Sequence, residues 1–235
     1  MTKGNHSKTR QKKIVLDSST LITISDNCMI KIMKALAEKE NISFIIPESV
    51  YAESVETPMK IRKFELNAIR IRDAVQDGYV KVANTTLGIR QRMERLKEIS
   101  VGICTFNGEA MVLLHRGEME TLALFKEIGA DALAIDERTT RMLVEEPEKM
   151  LAFLQKRHSG KITMNSSELG KFRLDYGGIK IIRSTEIISL AYADGSFSGE
   201  ISQSKQALEA ALFAAKFGGC AVSSDEINDY LREIR

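Results

Sequence analysis

Two short apolar runs, each ended abruptly, limit what this chain can fold into: Ile14 to Leu16 stops at Asp17 in KKIVLDSSTLI, and ISFII (42–46) stops at Pro47. Runs of this length with no polar alternation are strands buried on both faces. Between them MIKIMKALAE (29–38) has apolar side chains at helical spacing. Strand, helix, strand in this order is a parallel βαβ unit, because a parallel pair needs a long crossover. GYVKVA (78–83) and ALAID (132–136) supply further strands, the second again ending in acids. The expected class is α/β.

Helical spacing accounts for most of the remainder. ESVYAESV begins a helix after Pro47 and leads, across Pro58, into a basic amphipathic helix from Ile61 to Val75. GIRQRMERLKEI (88–99) is a second basic helix, and HRGEMETLALFKEIGA is bracketed by Gly117 before its start and Gly129 at its end. RTTRMLVEE is helical, and Pro147 opens PEKMLAFLQKR. GIKIIRSTEII reads as strand then helix, and QALEAALFAAKFG as an apolar helix. SSDEINDYLREI starts with a capping box, Ser223 with Glu226 three residues on. The stretch 159–178, rich in Gly, Ser, Asn and Lys, reads as an inserted arm outside the core. With no internal repeat, the expected organisation is a basic tail at 1–13 and one domain over 14–235.

Composition removes whole classes of chemistry. No run approaches the roughly 18–20 apolar residues of a membrane span, and the polar, basic start MTKGNHSKTRQKK is unlike a signal peptide. The expected location is cytoplasmic, away from any membrane. Cys28, Cys104 and Cys220 form no CxxC pair, and three histidines leave little material for imidazole-based sites, so catalysis should rest on carboxylates. Charge is segregated although the net is only +2: residues 60–97 hold ten bases against four acids, whereas 117–148 hold nine acids against three bases.

Asp17 and Asp136 both end buried strands, and Glu118 or Glu120 lies early in a helix beside them. In open α/β sheets, sites form outside the carboxyl ends of the strands. Acids gathered there repel one another and desolvate badly unless a hard divalent cation, Mg²⁺ or Mn²⁺, sits among them. Other readings start from the same residues: a single strand-end Asp is commonly a turn former or cap. A phosphatase of the haloacid dehalogenase type needs a second Asp two residues after the first, where this chain has Ser19.

IVLDSSTLI, IIPESVYAESV, GEMETLAL and AIDERTTR, in that order, resemble the motifs of PIN-domain proteins, metal-dependent nucleases that include VapC toxins and ribosomal-RNA processing enzymes. IIRSTEIISLAYADG and KFGGCAVSSDEINDYL are similar to segments of longer, archaeal-type members. The resemblance implies a three-layer PIN-like fold with a central parallel sheet flanked by helices. It implies catalytic acids Asp17, Glu53, Glu118 and Asp136, with Glu120 and Glu137 as further metal ligands and Ser19 in support. The third motif has Glu118 where many members have Asp. The implied activity is endoribonucleolytic, with Mg²⁺ or Mn²⁺ as cofactor and RNA, single-stranded or structured, as substrate. Lys60, Arg62, Lys63, Arg90, Arg92 and Arg95 form the expected phosphate-contacting rim, joined by Lys161, Lys171 and Arg173 on the arm. A homodimer and an antitoxin or ribosome-assembly partner are the implied associations. The competing reading is a catalytically silent PIN domain that binds RNA or protein during ribosome assembly or RNA processing.

Overall fold

The structure, a computed structural model, describes residues 10–199 and 201–233. Most of the expected basic tail therefore lies outside the described residues. Five strands, β1 (Lys12–Leu16), β2 (Ile42–Pro47), β3 (Val80–Ala83), β6 (Ala132–Ala134) and β8 (Ile181–Ile182), form one sheet in the order β3-β2-β1-β6-β8. Every pairing in it is parallel. Successive strand residues point to opposite faces, and the core divides accordingly. Ile14, Leu16, Phe44 and Ile46 enter one cluster, whereas Val15, Leu133 and Ile135 enter the other. Burying side chains of this size contributes roughly 1.5–3 kcal/mol each, which is why these short strands tolerate no polar alternation.

One face is covered by α1 (Ser18–Asp26), α2 (Lys31–Lys39), α4 (Arg62–Gln76), α10 (Ser184–Ala193), α11 (Lys205–Phe217) and α12 (Ser224–Glu233). The other carries α5 (Leu87–Ile103), α6 (Arg116–Ile128), α7 (Arg138–Glu145), α8 (Pro147–Arg157) and α9 (Ser166–Tyr176). The result is three layers with a central parallel sheet. The last helices are fastened by Arg183, whose guanidinium donates to Glu186, Glu226, Tyr230 Oη and the Ala221 carbonyl. The capping box at the start of α12 forms in both directions: Ser223 N donates to Glu226 and Glu226 N to Ser223 Oγ.

Two expectations change. The stretch 159–178 is part of the core, because Leu169, Phe172 and Tyr176, at positions i, i+3 and i+7 of α9, are buried in the second cluster. Its strand β7 (Ile162–Met164) pairs antiparallel with β4 (Cys104–Phe106) in a small second sheet, whose other strand is β5 (Glu109–Ala110). The β4–β5 hairpin turns on Asn107 and Gly108, both at positive φ (52° and 89°), as a tight two-residue turn requires. Lastly, Gly117 lies inside the first turn of α6 and not before it. Among the described residues, no helix is long and apolar enough to cross a membrane.

Candidate active site at the carboxyl edge of the sheet

Asp17 follows β1 and caps α1, and is only 3% exposed. Its Oδ2 accepts from Ser19 N at 3.1 Å and from Ser19 Oγ at 2.6 Å. The same Ser19 Oγ accepts from the backbone N–H groups of Asp136 (3.1 Å) and Glu137 (3.3 Å). One hydroxyl thus ties the end of β1 to the chain leaving β6. Asp17 N also donates to the Ala134 carbonyl, so the parallel register itself brings the first and fourth motifs together.

Glu53 comes from a π-helical turn, Ala52–Glu56, that continues the short helix α3 (Glu48–Tyr51). Such turns hold one residue more than an α-turn and re-aim the side chains they carry. The Glu53 carboxylate rests against Gly117: a Cβ at that glycine would stand 2.8 Å from Glu53 Oε1. A side chain at this position would push the Glu53 carboxylate aside. On either side of Gly117 around α6 project Glu118 and Glu120.

These acids experience one another. Burial pushes the Asp17 carboxyl up, offset in part by the Ser19 bonds, and Glu137 adds to the rise. Glu53 is raised by burial and then by Asp17 and Glu120, against a hydrogen bond from Ser18. Glu118 is pushed up to about 7, first by burial, with Asp17 and Glu137 adding to it while the His115 N–H pulls down. In the folded protein Glu118 therefore holds a proton that the unfolded chain releases near pH 4.5. Without metal, stability should fall as pH rises from about 4.5 through about 7. Mn²⁺ should raise Tm most at the upper end of that window. Melts at pH 5, 6, 7 and 8 in EDTA and in Mn²⁺ measure it, and a pH-independent difference would deny that Glu118 faces the ion.

The structure separates the two acids of the fourth motif. Glu137 caps α7, accepting from Thr139 N and Thr140 N at 2.7 Å each, and stays within electrostatic reach of Asp17 and Glu118. Asp136 engages one carboxylate oxygen in hydrogen bonds of its own. It is fully buried and turned toward α1 and α10, accepting from Ser184 N (2.7 Å) and Thr20 Oγ1 (3.3 Å), with Oδ2 unpartnered. Glu120, expected as a ligand, is 1% exposed and braces α3, accepting from Ser49 N (3.1 Å) and from Thr85 Oγ1.

The oxygen-only donor set of Asp17, Glu53, Glu118 and Glu137 suits a hard divalent cation in kind. Among the described residues, no three His, Cys, Asp or Glu side chains already form an ion's ligand set.

The basic rim is only partly free. Arg62 pairs with Glu65 (3.1 Å), Arg92 with Glu127 (3.1 Å), Arg95 with Asp175 (2.9 Å) and Arg173 with Glu148 (3.2 Å), while Lys171 pairs with Glu168 (2.7 Å). Lys63 lies over the Phe64 ring, 5.2 Å from its centroid. Lys60, exposed, ends the turn before α4. Another face of α5 carries Arg90 and Lys97 into a cleft of about 480 Å³ beside Arg116 and Glu120. These three cations have no ion pair among the described residues. Arg116 was absent from the expected rim, and its place in the first turn of α6 was the one signal for it.

A family model described as PIN domain, DUF3368, matches residues 13–147, more than half of the chain. No curated protein matches. Among solved structures, VapBC2 from Rickettsia felis bound to a DNA fragment from its promoter is similar over 53% of this chain and 88% of that one, at 12% identity and a TM-score of 0.42.

Proposed function

The chain belongs to the PIN-domain family, and from that premise we propose that it is an endoribonuclease dependent on Mg²⁺ or Mn²⁺. The observation that carries this reading is the placing of Asp17, Glu53 and Glu118 at the carboxyl edge of the sheet, where burial opposes the charge of each and Asp17 adds to the rise of the other two, a strain that a cation would relieve. Asp17, Glu53, Glu118 and Glu137 would hold the ion. When bound, it supplies an activated water and neutralises charge on the phosphoryl group.

The chain's own residues do the rest. Ser19 fixes the Asp17 carboxylate in one rotamer and keeps the fourth motif at a set distance from it. Gly117 leaves the space that lets the Glu53 carboxylate lie against α6. Arg90, Lys97 and Arg116 offer unpaired positive charge to the substrate backbone on one flank. No side-chain nucleophile is required. A homodimer, an antitoxin or a ribosome-assembly factor are compatible associations.

Single-stranded RNA incubated with the full chain should be cut in Mn²⁺ or Mg²⁺ and left intact in EDTA. Equal products under both conditions would overturn the metal-dependent reading. The alternative, a silent PIN domain that binds RNA or protein, is favoured by one observation, the lack of a ready-assembled ligand set among the described residues. Calorimetric titration separates the two: the nuclease takes up Mn²⁺ at this site, and the silent domain does not.

A further inference from the structure

On the opposite flank of the first turn of α6 from the Arg90 cleft lies a second cavity, of about 520 Å³, and Glu118 and Glu137 form part of its wall. That volume falls within the roughly 300–1,000 Å³ of small-ligand sites. We propose that it receives the base of a nucleotide next to the phosphodiester that is cut, so that the protein reads sequence at that position. The inference rests on the nuclease reading and gives its substrate a register.

The lining makes the assignment. Met111, Leu113 and Leu154 supply an apolar floor, while Arg157, His158 and His115 place donors around it. A nucleobase has two apolar faces and a hydrogen-bonding edge, and a thioether and branched aliphatic groups suit such faces. Without the ion, Glu118 and Glu137 disfavour a carboxylate or a free phosphate against the inner wall, and a neutral base meets no such repulsion. Donors capable of reading its edge are available. Arg157 is exposed and forms no ion pair among the described residues, its guanidinium resting 5.3 Å from the Phe153 ring centroid. His158 is half-buried, with its ring held 5.4 Å from that of Phe106.

The two flanks differ in charge. The α5–α6 cleft interleaves Arg90, Lys97 and Arg116 with Glu48, Glu94 and Glu120, charge that suits a backbone. The second cavity carries fewer charged side chains, Glu118, Glu137 and Arg157, beside its Met and Leu residues, which suits a base. Leu154, Arg157 and His158 also lie beyond residues 13–147, the part matched by the family model. The cavity is thus shared between the matched segment and the residues that follow it, and Arg157 and His158 are donors that the following residues contribute.

Nucleosides test this without metal and without cleavage. The full chain in EDTA is titrated with adenosine, guanosine, cytidine and uridine, and with ribose as control, following the imidazole NMR signals of His115 and His158. At least one nucleoside should shift both signals while ribose shifts neither. Leu154→Trp, which fills the cavity, should remove the response, and the exposed Arg157→Ala should weaken the affinity about tenfold. Equal shifts with ribose, or nucleoside affinity unchanged in both variants, would overturn the proposal. Separately, cleavage of an RNA pool of random sequence in Mn²⁺ should show a base preference beside the cut that flattens in Arg157→Ala. If the wild-type chain cuts no RNA, the nuclease reading fails, whereas the nucleoside titration still decides the cavity.

Discussion

Asp17→Asn is expected to reduce Mn²⁺-dependent RNA cleavage by about 10²–10³-fold or more, the scale seen when one group that stabilises transition-state charge is removed, while the fold in EDTA becomes at least as stable as wild type. Asparagine has the shape of aspartate and keeps an oxygen to accept from Ser19 N and Ser19 Oγ, the bonds that seat the side chain. It lacks the charge that burial and Glu137 oppose. Metal affinity should fall with activity, because a neutral amide is a poor substitute for one of few anionic ligands. Cleavage rates, Mn²⁺ titration and Tm in EDTA measure the three consequences. Undiminished cleavage would remove Asp17 from the site. A Tm lowered by many degrees would make it a structural cap of α1.

The strands were legible because each is a short apolar run with a definite end, and burial on two faces permits nothing else for Val15, Leu16 and Phe44. The parallel pairing of the first two follows from the crossover between them, whereas the order of all five in the sheet is given by the structure. The positions of three candidate acids were legible for the same reason: Asp17 stands where β1 must stop, and Glu53 and Glu118 stand on the helical segments that follow Pro47 and His115. Which acid of Asp136 and Glu137 faces the cluster was not legible. Both sit at the exit of β6, and the choice depends on a helix distant in sequence, α10, whose first N–H group takes the Asp136 carboxylate.

Sparse composition misled at 159–178. Apart from Gly170 inside α9, its Gly, Ser and Asn residues mark the boundaries of β7 and α9, and three residues at helical spacing were enough to seat one face of the helix in the core. The FNGEA hairpin carried a local signal, Asn-Gly between two short strands, that points to a tight turn on its own. Arg92 and Arg95 show the limit of reading a basic helix as a binding face. Their pairing with Glu127 on α6 and Asp175 on α9 is tertiary, and sequence spacing within α5 cannot reveal it.

Asp136→Ala should produce the opposite stability effect to Asp17→Asn. The Asp136 carboxylate is the acceptor for Ser184 N, the opening N–H of α10, and for Thr20 Oγ1, all three residues being fully buried. Alanine leaves a helix N-terminal donor and a hydroxyl without water or partner. An orphaned buried polar group costs about 1–3 kcal/mol, which at roughly 2–4 °C per kcal/mol for a chain of this size is a clear drop in Tm. The loss should appear in EDTA as well as in Mn²⁺, since it concerns packing of α10 and not the ion. Asp136→Asn keeps an oxygen toward Ser184 N and should melt close to wild type. Its cleavage then decides the role of the residue. Near-normal rates in Asp136→Asn, beside the loss in Asp17→Asn, would show that Asp136 acts by holding α10 and the exit of β6 in place. An equal loss in the two asparagine variants, with Tm preserved in both, would restore Asp136 to the metal ligands and require its carboxylate to leave Ser184 when the ion binds.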